Sequence, residues 1–185
     1  MKRDSERIYD EFLVAAAITG DRQALVRLVT RWQPRLLRHA WRVLGNADGA
    51  KDMVQEAWME ILKGLARLDD LAAFPAWAYR IVTRRCQRTF LARGRVWRAP
   101  ETGEFEPNLE APEHASGEFA ADLNIVLKAI GRLPATQRAA MALFYLEDLS
   151  VAEIAIATDV PPGTVKTRLM HARRKVRAIL EGEDS

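Results

Sequence analysis

Across most of the chain, apolar positions recur every three to four residues, the period of an amphipathic helix, while sustained alternation and hairpin turn signals are missing. The spacing predicts a helix from about Ile8 to Thr19, ended by Gly20, with Asp21 placed to cap its successor. The second helix runs to about Leu44, bends near Pro34 and stops at Gly45-Asn46. A third, from about Asp48 to Leu68, gathers Val54, Ala57, Trp58, Ile61, Leu65 and Leu68 on one face. Its other face carries Lys51, Asp52, Gln55, Glu56, Glu60 and Lys63. A fourth begins around Phe74-Pro75, where proline's missing N–H costs least. It sets Ala78, Val82 and Cys86 on one side against Trp77, Ile81, Arg84 and Arg88 on the other. Periodicity leaves open which side is buried, and a Trp at helical spacing such as Trp77 commonly fills a core.

The C-terminal part predicts helices over Asp122–Gly131 and Pro134–Tyr145. A short helix then opens at Leu149–Ala155, with Ser150 as N-cap and Glu153 three residues later completing a capping box. Thr158 to Gly163 reads as a turn, and Thr164 as the cap of a last helix reaching about Leu180. Val165, Leu169, Ala172 and Val176 form its inward stripe. Thr167, Met170, His171 and Arg174 then face outward, flanked by Thr164, Lys166 and Arg173. A short helix, a tight turn and a basic helix is a helix-turn-helix pattern, here at about residues 150–180. In that motif the second helix enters the major groove with its N-terminal side chains at base edges. The plainer alternative is a helical hairpin that happens to be basic.

Charge adds an organisation that periodicity does not show. The total of +3 divides into +8 over residues 1–98, −6 over 99–121 and +1 over 122–185. The middle stretch holds six Glu, three Pro, two Gly and no Lys or Arg, the composition of a linker without a core. Fully extended, its roughly 23 residues would reach about 75 Å, some two turns of duplex. Seven arginines and no acid lie between Arg80 and Arg98, and six cations and no acid between Pro162 and Ala178. One such run usually marks a solvated helix face; two point to a polyanion touching both halves, with nucleic acid foremost. The expected architecture is therefore all-α, with two small helical domains at 1–98 and 122–185 joined by the acidic linker 99–121.

Composition bounds the remaining classes. The single Cys86 excludes an internal disulfide framework and a Cys-rich zinc site. His39, His114 and His171 are too dispersed to suggest a metal centre. No apolar run approaches the roughly 18 residues that a membrane span needs, and the charged start does not read as a secretory leader. A cytoplasmic protein without membrane insertion, cofactor, metal or small-molecule substrate is expected. No nucleophile–base pair or phosphate loop argues for an enzyme.

Three stretches together resemble the sigma-70 family of bacterial transcription initiation factors. The match is to the compact extracytoplasmic-function (ECF) group, which keeps only the second and fourth conserved regions. Asp52-Met53-Val54-Gln55-Glu56-Ala57-Trp58 resembles the family's core-polymerase contact, and Phe74-Pro75-Ala76-Trp77-Ala78-Tyr79-Arg80-Ile81 the start of its helix over the minus-10 promoter element. Leu133-Pro134-Ala135-Thr136-Gln137-Arg138 through Gly163-Thr164-Val165-Lys166-Thr167-Arg168-Leu169 resembles its minus-35-reading domain. The similarity extends over about residues 12–180, almost the whole chain.

The resemblance implies that Asp52, Gln55 and Glu56 dock on the clamp helices of the polymerase's largest subunit. It implies that Gly64–Phe74 is the loop capturing a base flipped from the minus-10 element, with Arg67, Asp69 and Asp70 as candidate polar contacts. Trp77, Arg80, Arg84, Arg85 and Arg88 would complete the minus-10 surface. Many family members have Asn at the position of Arg84 and Asp or Asn at that of Arg88. Two arginines there add phosphate affinity and prevent borrowing the minus-10 specificity of relatives. Minus-35 contacts fall on Thr164, Lys166, Thr167, Met170 and His171, while Arg168, Arg173 and Arg174 suit phosphates, which fix register without reading sequence. Core RNA polymerase, promoter DNA and an anti-sigma factor are the implied partners. Two rivals remain: a sigma-like decoy that sequesters an anti-sigma protein, and an autonomous helix-turn-helix regulator. The decoy has no need of two acid-free basic faces, and the regulator none of the Asp52-Gln55-Glu56 face.

Overall fold

The computed structural model describes residues 2–92, 125–126 and 128–182, and the regular elements among them are all helical. Arg93, Arg95, Arg98 and the acidic segment 99–121 lie outside that range. The helices fall into two compact units. The first contains α1 (Lys2–Ile18), α2 (Arg22–Leu44), α3 (Ala47–Gly64) and α4 (Phe74–Ala92). The second contains α5 (Ala135–Tyr145), most of α6 (Val151–Thr158) and α7 (Pro162–Glu181).

In the first unit, local signals set the helix ends. Asp21 caps α2, its Oδ1 accepting from the N–H groups of Gln23 and Ala24 at 2.8 and 3.1 Å. Gly45, at φ 75°, closes α2 in the left-handed conformation that glycine adopts without a Cβ penalty. Asn46 caps α3 through the N–H of Gly49 at 2.7 Å. Pro34 sits inside an α2 that remains helical on both sides of it. Two expected boundaries shift. Helix α1 begins at Lys2, not near Ile8, because its polar first turns are tied to α2 by charge instead of apolar burial. Arg31 Nε donates to the buried Asp10 carboxylate at 2.6 Å, and Arg35 reaches Glu6 at 3.4 Å. Helix α3 ends at Gly64 instead of Leu68, and two short 3-10 turns, Leu65–Arg67 and Leu71–Ala73, lead into α4.

The core of this unit is aromatic at its centre. Trp32 of α2 is buried between Phe74 and Tyr79 of α4, edge-on to both, with ring centroids 5.1 and 5.7 Å away. Leu13, Val14, Leu28, Leu36, Val54 and Ile61 of the same unit are all fully buried. The orientation of α4 that periodicity left open is settled by this packing. Ala78, Val82 and Cys86 are buried, and Tyr79, Ile81 and Thr83 join them. Ile81 therefore belongs with the core, and Arg80, Arg84 and Arg88 lie on the exposed face.

In the second unit the capping box forms as predicted. Ser150 N–H donates to Glu153 Oε2 at 2.7 Å, and Glu153 N–H to Ser150 Oγ at 3.2 Å. Residues 125–126 and 128–131, the described part of the expected Asp122–Gly131 helix, are helical. Helix α7 starts earlier than expected: Pro161 is its N-cap and Pro162 its first residue, so Thr164 is a first-turn residue and not the cap. Proline's fixed φ is already helical and its absent N–H would have had no partner there, which outweighs a threonine cap two residues on. Val165, Leu169, Ala172 and Val176 are all buried, the predicted inward stripe, as are Leu143 and Ile154 of the same unit.

Candidate nucleic-acid interface

The exposed stripe of α4 follows from its core stripe. With Tyr79, Val82 and Cys86 turned inward, Arg80, Arg84 and Arg88 recur at i, i+4 and i+8 on the opposite side, all exposed. Trp77 is half-buried at the start of the helix, its ring so close to Gly64 that a Cβ there would lie 2.8 Å from it. Trp77 thus packs over the end of α3 and still presents one edge. Arg67 lies exposed in the first 3-10 turn, and Asp70 caps the second through Ala72 N–H at 3.0 Å. Asp69 is exposed between them.

Arg85 differs from Arg84 and Arg88 of the same helix. It turns toward α3, donating to Glu60 at 2.6 and 3.0 Å and to Glu56 at 3.0 Å. Its hydrogen bond to Glu60 dominates and holds its pKa above the ordinary arginine value, with the two carboxylate charges adding to the effect. One predicted polymerase contact, Glu56, and one predicted minus-10 contact, Arg85, are therefore bound to each other. Both are half-buried, while Asp52 and Gln55 stand exposed on α3. Along that outer stripe the helix also exposes Met59 and Leu62, which continue the i, i+3, i+7, i+10 line from Asp52. Reading α3 as one apolar face and one polar face passes over them; the signal was two large apolar residues lying off the core stripe.

In the second unit the outward face of α7 presents Thr164, Lys166, Thr167, Met170, Arg173 and Arg174, all exposed, with His171 half-buried beside them. Thr167 Oγ1 donates to the carbonyl of Gly163 at 3.0 Å, which leaves its lone pairs free to accept. Arg168 is half-buried, and burial lowers its pKa below the usual arginine value, though a guanidinium stays charged at any physiological pH. Arg173 Nε donates to Tyr145 Oη at 2.9 Å, and its guanidinium carbon lies 5.7 Å from the ring centroids of both Phe144 and Tyr145. Neither aromatic residue was expected to take part, since the pairing spans two helices.

Two further groups are buried without a place on these faces. His39 Nε2 is 2.8 Å from Thr83 Oγ1 and its ring stacks edge-on to Tyr79 at 5.0 Å. Burial, with the nearby Arg42 charge, pulls its pKa down to about 3. Burial raises the Cys86 thiol to about 12, so it stays protonated. Among the described residues no three His, Cys, Asp or Glu side chains gather as a metal site would require, and no helix is long and apolar enough to cross a membrane.

Residues 28–96 match the family Sigma-70 region 2, and residues 123–176 match Sigma-70, region 4. The ECF RNA polymerase sigma-E factor of Escherichia coli K12 is 30% identical over 185 residues, covering 93% of this chain and 94% of that protein. Two solved structures share the fold. CnrH, in complex with the cytosolic domain of CnrY, has a TM-score of 0.61 at 24% identity, covering 96% of this chain and 99% of the other. The sigma factor RpoE of Bartonella quintana, in complex with the anti-sigma factor NepR, has a TM-score of 0.61 at 22% identity, covering 85% and 96%.

Proposed function

The chain belongs to the ECF group of sigma-70 RNA polymerase sigma factors, and from that membership we propose how its surfaces share the work. It is an alternative sigma factor, whose partners are core RNA polymerase and promoter DNA. It acts in the bacterial cytoplasm as a specificity subunit, without catalysis, cofactor or metal of its own. Residues 1–98 form the polymerase-binding and minus-10 domain, 99–121 the acidic tether, and 122–185 the minus-35 domain. An anti-sigma factor is a further partner, a reading supported by the fold shared with the Bartonella sigma factor bound to NepR.

The observation that carries this division is the orientation of α7. Four buried apolar residues at helical spacing turn Thr164, Lys166, Thr167, Met170 and Arg174 outward at the N-terminal and central turns, the part of a recognition helix that meets base edges. Lys166, Thr167, Met170 and His171 read the minus-35 element, Met170 through contact with a thymine methyl. Arg168, Arg173 and Arg174 bind phosphates. On the first unit, Arg67, Trp77, Arg80, Arg84 and Arg88 face the minus-10 element. Arg85, held by two carboxylates, contributes less charge there than its position on a basic helix suggests. Asp52, Gln55 and Glu56 bind polymerase, and exposed Met59 and Leu62 extend that face with apolar area. Asp52 is the cleanest probe, because it is exposed, whereas Glu56 also holds Arg85.

Asp52→Arg is expected to weaken binding to core polymerase by about tenfold or more while leaving the unfolding midpoint unchanged. Unaltered affinity in a direct binding titration would remove Asp52 from the interface. Thr167→Ala with His171→Ala is expected to change the minus-35 preference selected from a promoter library and to leave the minus-10 preference alone. Recovery of the wild-type minus-35 consensus would overturn the assignment of those two residues.

A further inference from the structure

Arg173 sits on the face of α7 assigned above to phosphates, and aromatic side chains hold it there. The Tyr145 hydroxyl at 2.9 Å and the rings of Phe144 and Tyr145 at 5.7 Å meet it from the C-terminal end of α5. The two rings meet nearly perpendicular, 76° apart with centroids at 4.9 Å, so they form a corner in which the guanidinium rests. Tyr145 is itself half exposed to solvent, so the corner opens on the surface. Among the described residues only Nε is engaged by a hydrogen bond, which leaves the two terminal nitrogens, the pair that binds a phosphate in a fork, for a ligand. No carboxylate pairs with Arg173 among the described residues.

We propose that Tyr145 and Phe144 are positioning residues that pre-order Arg173 for a phosphate of promoter DNA while leaving its charge uncancelled. A surface arginine ordinarily loses considerable side-chain freedom when it closes on a ligand, and a partner that orders it beforehand reduces that loss. A carboxylate in the place of Tyr145 would order the guanidinium equally well and at the same time neutralise it, as Glu56 and Glu60 do to Arg85. A phenol and two ring faces supply the order without the countercharge. The inference rests on the reading of α7 as a DNA-facing helix.

The test compares Tyr145→Glu with Tyr145→Gln, side chains alike in shape and differing in charge, in holoenzyme reconstituted with core polymerase. The readout is the dependence of promoter affinity on salt concentration, to which each neutralised phosphate contributes about 0.9 in the log–log slope. Tyr145→Gln is expected to keep the wild-type slope, with affinity lowered two- to fivefold. Tyr145→Glu is expected to flatten the slope by about 0.9, matching Arg173→Ala, even though the arginine is still present. Tyr145→Phe, the smallest change, keeps the slope and loses affinity a few-fold. A purely structural link between α5 and α7 would lower the melting temperature without separating Glu from Gln in the slope. Equal slopes for the Glu and Gln variants, or a wild-type slope for Arg173→Ala, would overturn the proposal. Failure of the wild-type holoenzyme to bind any promoter duplex would instead overturn the underlying reading of α7.

Discussion

Arg85 on α4 and Arg173 on α7 both lie in acid-free basic runs, and both are held by side chains of a neighbouring helix. Their partners differ in kind. Glu56 and Glu60 of α3 grip Arg85 and cancel its charge, while Tyr145 and Phe144 of α5 hold Arg173 without cancelling it. The two runs look equivalent as counts of cations along the sequence. In space, one includes an arginine engaged in joining two helices, and the other includes an arginine oriented and still fully charged. What a basic residue can offer a phosphate is therefore set by its neighbours across the fold as much as by its own helix. Arg84 and Arg88 remain exposed on α4, so its surface is basic still, but narrower than its composition suggests.

The seat of α4 is where this comparison breaks most severely. Trp32→Ala removes the ring against which Phe74 and Tyr79 pack and should destabilise the protein by about 3–5 kcal/mol, read as a large fall in the urea midpoint. A loss under about 1 kcal/mol would mean that the aromatic centre does not fix α4. A smaller effect comes from His39. Its native pKa of about 3 lies below the unfolded value of 6.5, so the unfolded chain binds the extra proton between those values. The contribution is complete above about pH 6.5 and declines as the pH falls toward 3, reaching a loss of about 2 kcal/mol at pH 5. Urea titrations at pH 7 and pH 5 check this: His39→Gln should remove that share of the pH dependence, and an unchanged dependence would contradict the burial of a neutral imidazole.

The smallest effect bears most directly on the two arginines. Glu60→Gln removes the shorter of the carboxylate contacts to Arg85. The pair is partly exposed, so stability should fall by under about 1 kcal/mol. The salt dependence of promoter binding should steepen, by at most about 0.9 in slope, as the released charge becomes available to a phosphate. A flatter slope would show that the carboxylate was supporting the DNA contact and not competing with it.

What was legible in the sequence was local. Asp21, Gly45 and the Ser150–Glu153 box each act within four residues, and each forms as the residue types dictate. The stripe of Val165, Leu169, Ala172 and Val176 was legible because burial on one helix repeats with the helix's own period. The start of α7 was misplaced at Thr164 because two valid start signals lie two residues apart, and a proline at the first position prevails. The start of α1 was missed because Glu6 and Asp10 are anchored by arginines of the next helix, which no apolar pattern records. The side of α4 that faces the core depended on Trp32, and the fates of Arg85 and Arg173 on residues 25 to 29 positions away. Spacing within a helix carries no information about such partners. The candidate contacts were thus identifiable by type, whereas the pairing that divides them into engaged and available groups came from packing.

As a sigma factor, this chain directs RNA polymerase to promoters. Core polymerase reconstituted with the purified protein and supplied with fragments of the source genome should produce transcripts whose start sites share a minus-10 and a minus-35 element, absent with core alone. RNA sequencing that found no new start sites, or new start sites without a common pair of elements, would contradict it.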